Sequence, residues 1–216
     1  MTERSENTVV ILHGQEDLKV ETRALVAPGP GEVRVRMVMS PIHNHDLMIV
    51  TGHYGYKPAL PAYPGTEAVG VVEALGEGVS HLQVGQRVAG GASATWADSY
   101  IADAVRVVPV PDSVDNETAC QLVSMPLSAA MLLHGMTLNQ GDWIIVNAAS
   151  GAVGKLVAQF GAEQGINVLY LGIGYLKWRA PTTPKIDRYA PLVLVPVALE
   201  RSNAGEKFHL RWQGDE

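Results

Sequence analysis

Two stretches of this 216-residue sequence place residue types at spacings that chemistry can use. In NAASGAVG, residues 147 to 154, glycines stand at 151 and 154 between an apolar run, WIIVN, and an amphipathic one. A turn of this kind brings the backbone close to a diphosphate, and the helix that follows offers unpaired N–H groups and the positive end of its dipole. Gly151 would make the tight turn and the close approach, and Gly154 would let the helix pack on the sheet. Ala149 holds the place of the first glycine in G-x-G-x-x-G, so the spacing also suits a βα turn that needs glycine for geometry alone.

The second stretch is SPIHNHDLMIVTGHYGYKPALPAYPGTEAVGVV, residues 40 to 72. Histidines at 43, 45 and 53 with Asp46 and Glu67 invite a metal reading, because an H-x-H pair on an extended strand puts both imidazoles on one face. Catalytic zinc asks for three protein ligands, no CxxC accompanies the pair, and the lone Cys120 is far along the chain. The plainer reading is a polar loop lining a cleft, with His43 and Asp46 on it and no metal. Tyr54 in HYGY has a sharper use: a phenol presented to a cleft can donate to a carbonyl oxygen as negative charge develops there. A half-buried surface tyrosine would look the same.

The elements that must hold these residues follow from periodicity. From Thr8 to about Pro111, short β-branched runs alternate with turns such as PGPGE and GEGVS, which predicts a sandwich or partly open barrel. Between 113 and 136, apolar residues at near-helical spacing predict a linking helix that Pro126 kinks or splits. Next comes one βαβ unit: a buried strand over 143 to 147, a helix over about 152 to 164, and a second strand over 166 to 171. The expected class is α/β, with a β-rich domain over 1–117, a linking helix and incomplete Rossmann (βαβ) unit over 118–171, and a divergent tail over 172–216. In that tail, two strand-like runs, 192 to 199 and 207 to 212, flank the hairpin-type turn SNAGE. The first run is the one tail segment apolar enough to join the two preceding strands.

Composition narrows the partners. A net charge of −6 without a basic run argues against nucleic acid. A single cysteine suits a reducing compartment, and no apolar stretch approaches a membrane span or signal segment, so a cytoplasmic protein with a small-molecule substrate and no membrane partner is expected.

In this order, the motifs SPIHNHDLMIVTGHYGYKPALP, YPGTEAVGVVEALGEGV, VGQRVAGG, ATW, VPVPDSV and GDWIIVNAASGAVGKLVAQFGAEQGINVL resemble the medium-chain dehydrogenase/reductase superfamily. Within it they resemble the zinc-free quinone oxidoreductase and 2-enoyl thioester reductase branch. The resemblance covers about residues 8 to 170. It implies a GroES-like β domain, a Rossmann domain and an active site in the cleft between them. It implies Tyr54 as the catalytic tyrosine, Trp96 on the cleft side, and Asn147, Gly151, Ala152, Val153 and Gly154 along an NADP or NAD cofactor. In zinc-dependent members a cysteine stands where His43 is, a histidine where Thr66 is, and a further cysteine near Met125, so no zinc is expected. Met125 also replaces an asparagine of the enoyl reductase branch. The resemblance further implies homodimers built through the Rossmann sheet edge.

The reader of the ribose 2′ position should follow the second strand; LYLGIG stands there, with Lys177 and Arg179 the nearest cations, which leaves NADP against NAD open. Near Leu169 the resemblance stops, and the tail resembles a segment of bacterial helicase-like proteins, as if two gene fragments were joined. Three functions therefore stand side by side. The first is an NAD(P)H-dependent oxidoreductase that reduces an α,β-unsaturated carbonyl compound, a quinone or an enoyl thioester. The second is a non-catalytic remnant whose half-built sheet leaves an apolar edge unpaired, activity being lost with the missing half. The third is a zinc-dependent alcohol dehydrogenase using His43, His45 or Glu67.

Overall fold

The structure is a computed structural model that describes residues 4–171, 194–201 and 208–212. The chain divides into two compact units, Met1–Ser124 and Met125–Glu216.

In the first unit, β1 (Glu6–Gly14) and β2 (Asp17–Ala24) form an antiparallel hairpin. A five-stranded antiparallel sheet of order β6-β3-β4-β5-β7 carries the rest: β3 (Glu32–Met39), β4 (Glu67–Leu75), β5 (Arg87–Gly91), β6 (Ser99–Asp103) and β7 (Val107–Pro109). The period-2 pattern of β3 explains its role, since Val33 and Val35 are fully buried in the core with Val72, Val88 and Tyr100 while the residues between them are more exposed. Strand β4 passes so close to β3 that a Cβ on Gly70 would meet the Arg36 carbonyl oxygen at 2.3 Å, so only glycine fits there.

One expectation fails inside this unit. The H-x-H pair lies on no extended strand: His43 caps a helix, α1 (Asn44–Val50), and His45 is in its first turn. The helix starts because Asp46 reaches back to accept the His43 backbone N–H at 2.9 Å, half of a capping box, and it ends at Gly52, whose φ of 71° favours glycine. Three residues of alternating polarity were too little to separate a strand from a helix start.

The linking helix is split, as the proline suggested. In α2 (Asn116–Ala119), Asp115 caps the N-terminus by accepting the Thr118 N–H at 2.7 Å, which holds the Asp115 carboxyl below its ordinary range. The next helix, α3 (Ser124–His134), carries Pro126 in its first turn, where a missing N–H costs no intrahelical bond.

The second unit contains the βαβ motif: β8 (Trp143–Asn147), α4 (Ala152–Glu163) and β9 (Asn167–Leu171), with β8 and β9 parallel. Its core joins Ala129 and Leu133 of α3 to Ile144, Val146, Val157 and Ile166. The tail supplies β10 (Leu194–Arg201) and β11 (Phe208–Trp212), an antiparallel pair. The four strands lie in the order β11-β10-β8-β9. The half-built sheet with an unpaired edge beside its first strand is therefore corrected: β10 pairs antiparallel with β8 from Leu194 opposite Val146 to Val197 opposite Trp143. Among the described residues, β10 pairs with β8 through its first half and with β11 through its second, so Pro196 sits where one flank needs no donor. The turn SNAGE and the cations Lys177 and Arg179 lie outside the described residues.

Candidate functional site

Helix α4 is the better-formed half of the candidate machinery. The chain leaves β8 at Asn147, turns through Ala148 at a φ of 49°, and enters the helix at Gly151. The tight turn is thus carried by Ala148, and Gly151 adopts an ordinary extended conformation with φ −72°. What Gly151 contributes is room, since a Cβ there would crowd the Ala148 carbonyl oxygen at 3.2 Å. Gly154 is needed more: its Cβ would meet the Ala149 Cα at 2.6 Å, so it fits the helix against the turn, whereas Gly161 faces the sheet at Val168. The sequence-level division of labour between the two glycines is corrected to that extent. The glycine cap supplies no side-chain acceptor, so the first amides of a twelve-residue helix, those of Ala152, Val153 and the buried Gly154, receive no side-chain cap. Such an end fits a diphosphate, with the positive helix dipole behind it.

The first unit holds a compact polar web. The Asp46 carboxylate, 2% exposed, accepts the His43 N–H through Oδ2 and the Thr66 hydroxyl through Oδ1, at 2.9 and 3.2 Å. Thr66 Oγ1 lies 2.9 Å from His45 Nε2. Glu67, 1% exposed, is 2.7 Å from His43 Nε2 through Oε1 and accepts the Ser124 N–H through Oε2. The two imidazoles stack with ring centroids 5.0 Å apart. Tyr54 follows α1 in a loop whose 53 and 54 amides both donate to the Met48 carbonyl, and its ring stands 5.9 Å from that of His45. It is 38% exposed. Asp46 and Thr66 also form the floor of a pocket of about 420 Å³ walled by Tyr56, Pro58, Pro61 and Tyr63.

The structure brings together His43, His45, Asp46 and Glu67, which the sequence had already grouped, and adds Thr66, the residue immediately before β4. Trp96 packs against Gly65, which lines the pocket beside Asp46 and Thr66, sends its Nε1–H toward the Pro41 carbonyl at 3.4 Å, and itself lines a second pocket with Val9, Val20 and Ile42. Nearby, Cys120 is 4% exposed, and burial together with the Glu67 carboxylate pushes its thiol up.

Residues 29–112 match the alcohol dehydrogenase GroES-like domain. Human mitochondrial enoyl-[acyl-carrier-protein] reductase is 33% identical over 162 residues, which are 73% of this chain and 43% of that protein. The chain belongs to the medium-chain dehydrogenase/reductase superfamily. Its relatives include enoyl reductases and quinone oxidoreductases, the zinc-free branch of that superfamily. Human synaptic vesicle membrane protein VAT-1 homolog is 34% identical over 68% of this chain and 38% of that protein. The Escherichia coli quinone oxidoreductase, solved as a complex with NADPH, superposes with a TM-score of 0.68 at 26% identity, over 76% of this chain and 52% of that one. This dehydrogenase/reductase chain spans less than half the length of the curated relatives named here. Its residues 157–216 match a second family model, described as a protein of unknown function, DUF4011, which begins inside α4, ahead of the Leu169 junction read from the sequence.

The positions at which the resemblance places the ligands of zinc-dependent members are His43, Thr66 and Met125. The first two are engaged with carboxylates and with each other's neighbours, and among the described residues no group of three or more histidines, cysteines and carboxylates is arranged to hold a metal ion. None of the described helices is long and apolar enough to cross a membrane.

Proposed function

We propose that the chain is built for NADP-dependent reduction of an α,β-unsaturated carbonyl compound, an enoyl thioester or a quinone. The observation that carries this reading is the open helix end at Ala152, Val153 and Gly154 behind a turn that tolerates no side chain at 154. It is supported by relatives named as enoyl reductases and by quinone oxidoreductase structures, one of them with NADPH.

The residues fit such a group. The three amides would hold the diphosphate, with Asn147 beside them at the end of β8. When bound, a nicotinamide supplies hydride for the β-carbon of the substrate. The chain's own share is electrostatic: the Tyr54 hydroxyl donates to the carbonyl oxygen and gives up its proton as charge gathers there. His43 and Asp46 hold α1, and through it the Tyr54 loop, in place. The test is consumption of NADPH, followed by its near-ultraviolet absorbance, with an enoyl thioester and a quinone as separate acceptors. Acceptor-dependent consumption lost in Tyr54→Phe is the expected result, and no consumption with either acceptor overturns the reading.

A second reading rests on β10. An antiparallel strand beside β8 departs from the doubly wound sheet of this superfamily, and a chain so altered would keep its fold without turnover.

A further inference from the structure

The web around Asp46 has a direction. A threonine hydroxyl has one proton to give. Asp46 Oδ1, a buried carboxylate oxygen 3.2 Å away, is an acceptor only, so Thr66 spends its proton there. Toward His45 Nε2, at 2.9 Å, Thr66 Oγ1 can then only accept, and the nitrogen must carry the hydrogen. Asp46 Oδ1 itself lies 3.5 Å from the same nitrogen and reinforces that choice. The carboxylate thereby fixes the tautomer of a ring it barely touches. Nδ1 is left as the nitrogen able to take up or release a proton. The ring stacks on His43, which is anchored by Glu67, and its centroid is 5.9 Å from that of Tyr54. Exposure rises outward along this row, from 10% for the His43 side chain to 23% for His45 and 38% for the Tyr54 residue.

From this arrangement we infer that His45 is the proton-relay partner of Tyr54, positioned by Asp46 through Thr66, an assignment that rests on the reduction proposed above. Once the phenol has given its proton to the carbonyl oxygen it is a phenolate. His45 takes a proton from solvent at Nδ1 and passes it through a bridging water to the phenolate oxygen of the neighbouring Tyr54, whose ring is 5.9 Å away, which restores the phenol and the neutral imidazole. The relay itself moves only a proton. The hydride is supplied by the nicotinamide, and the proton by water. Thr66 is then a positioning residue: it aims the imidazole and leaves Nε2 unavailable for any other proton.

Two measurements on the full chain test this. Long-range proton–nitrogen spectra of histidine-labelled protein should show neutral His45 as the Nε2–H tautomer in the parent and in Thr66→Ser, and a mixture in Thr66→Val, which has no hydroxyl to accept. An Nδ1–H tautomer in the parent overturns the inference even if reduction proceeds. His45→Gln keeps a donor for Thr66 but cannot relay, so kcat should fall about tenfold or more with KM unchanged. An unchanged kcat overturns the relay, while absent turnover in the parent overturns the proposed reduction itself and leaves the tautomer result to judge the geometry.

Discussion

Leu194, the first residue of β10, is paired antiparallel with Val146 of β8, one residue before the turn at Asn147. The strand that enters beside β8 therefore starts at the carboxyl end of the parallel pair, the end where open α/β sheets bind ligands. Antiparallel strands at the margin of such sheets are tolerated because the ladder closes equally well.

Val197 is paired on both flanks, with Trp143 of β8 and Trp212 of β11. Its N–H serves one ladder or the other, so Val197→Pro removes a bond whichever way it points. Hydrogen exchange should lose protection across 194–201 in that variant while the amides of β3 and β4 keep theirs. Equal protection in both proteins would mean that the hairpin is not part of the sheet.

Gly154→Ala drives a Cβ into Ala149, and backbone cannot step aside as a side chain can. A loss of about 1–3 kcal/mol in unfolding free energy is expected from such overpacking, set against a gain of up to ~1 kcal/mol in helix propensity. Urea denaturation measures the balance, and NADPH affinity should fall more steeply than stability.

Tyr54→Phe should lower turnover by a factor on the order of a hundred or more while leaving the thermal midpoint within a degree or so, since the ring is partly exposed and packs on His45 in either form. Steady-state rates beside calorimetric unfolding check this. Turnover equal to the parent's would take Tyr54 out of the mechanism.

Cys120 donates its S–H to the Glu117 carbonyl at 3.3 Å, and its ionisation lies above the ordinary thiol range because it is buried near Glu67. The folded chain thus keeps a proton that the unfolded chain loses above about pH 8.5. The corresponding stability is fully present below that pH and declines as pH rises toward the folded value. A Cys120→Ser variant should show a flatter alkaline limb in its stability curve, and the parent thiol should react with a disulfide reagent only after urea is added.

How far the sequence could be read depended on the range of the interactions. The βαβ unit was legible because its signals are local: an apolar run, a glycine turn, an amphipathic repeat. Pro126 announced the break between α2 and α3 for the same reason, since proline acts on its own helix. Thr66 was legible only as a position without a zinc ligand, because its use depends on the approach to β4 bringing it within 2.9 Å of a histidine twenty-one positions earlier. The direction of β10 was equally out of reach. A hydrophobic run states that a strand wants burial, and pairing partners decide which way it runs.

In the function proposed above, the amides opening α4 hold a dinucleotide diphosphate. Titrating the full protein with NADPH in a calorimeter, beside the Gly154→Ala variant, measures it directly. Saturable binding at one site per chain, lost in the variant, is the expected result. Heat no greater than dilution, or binding that the variant retains in full, would contradict it.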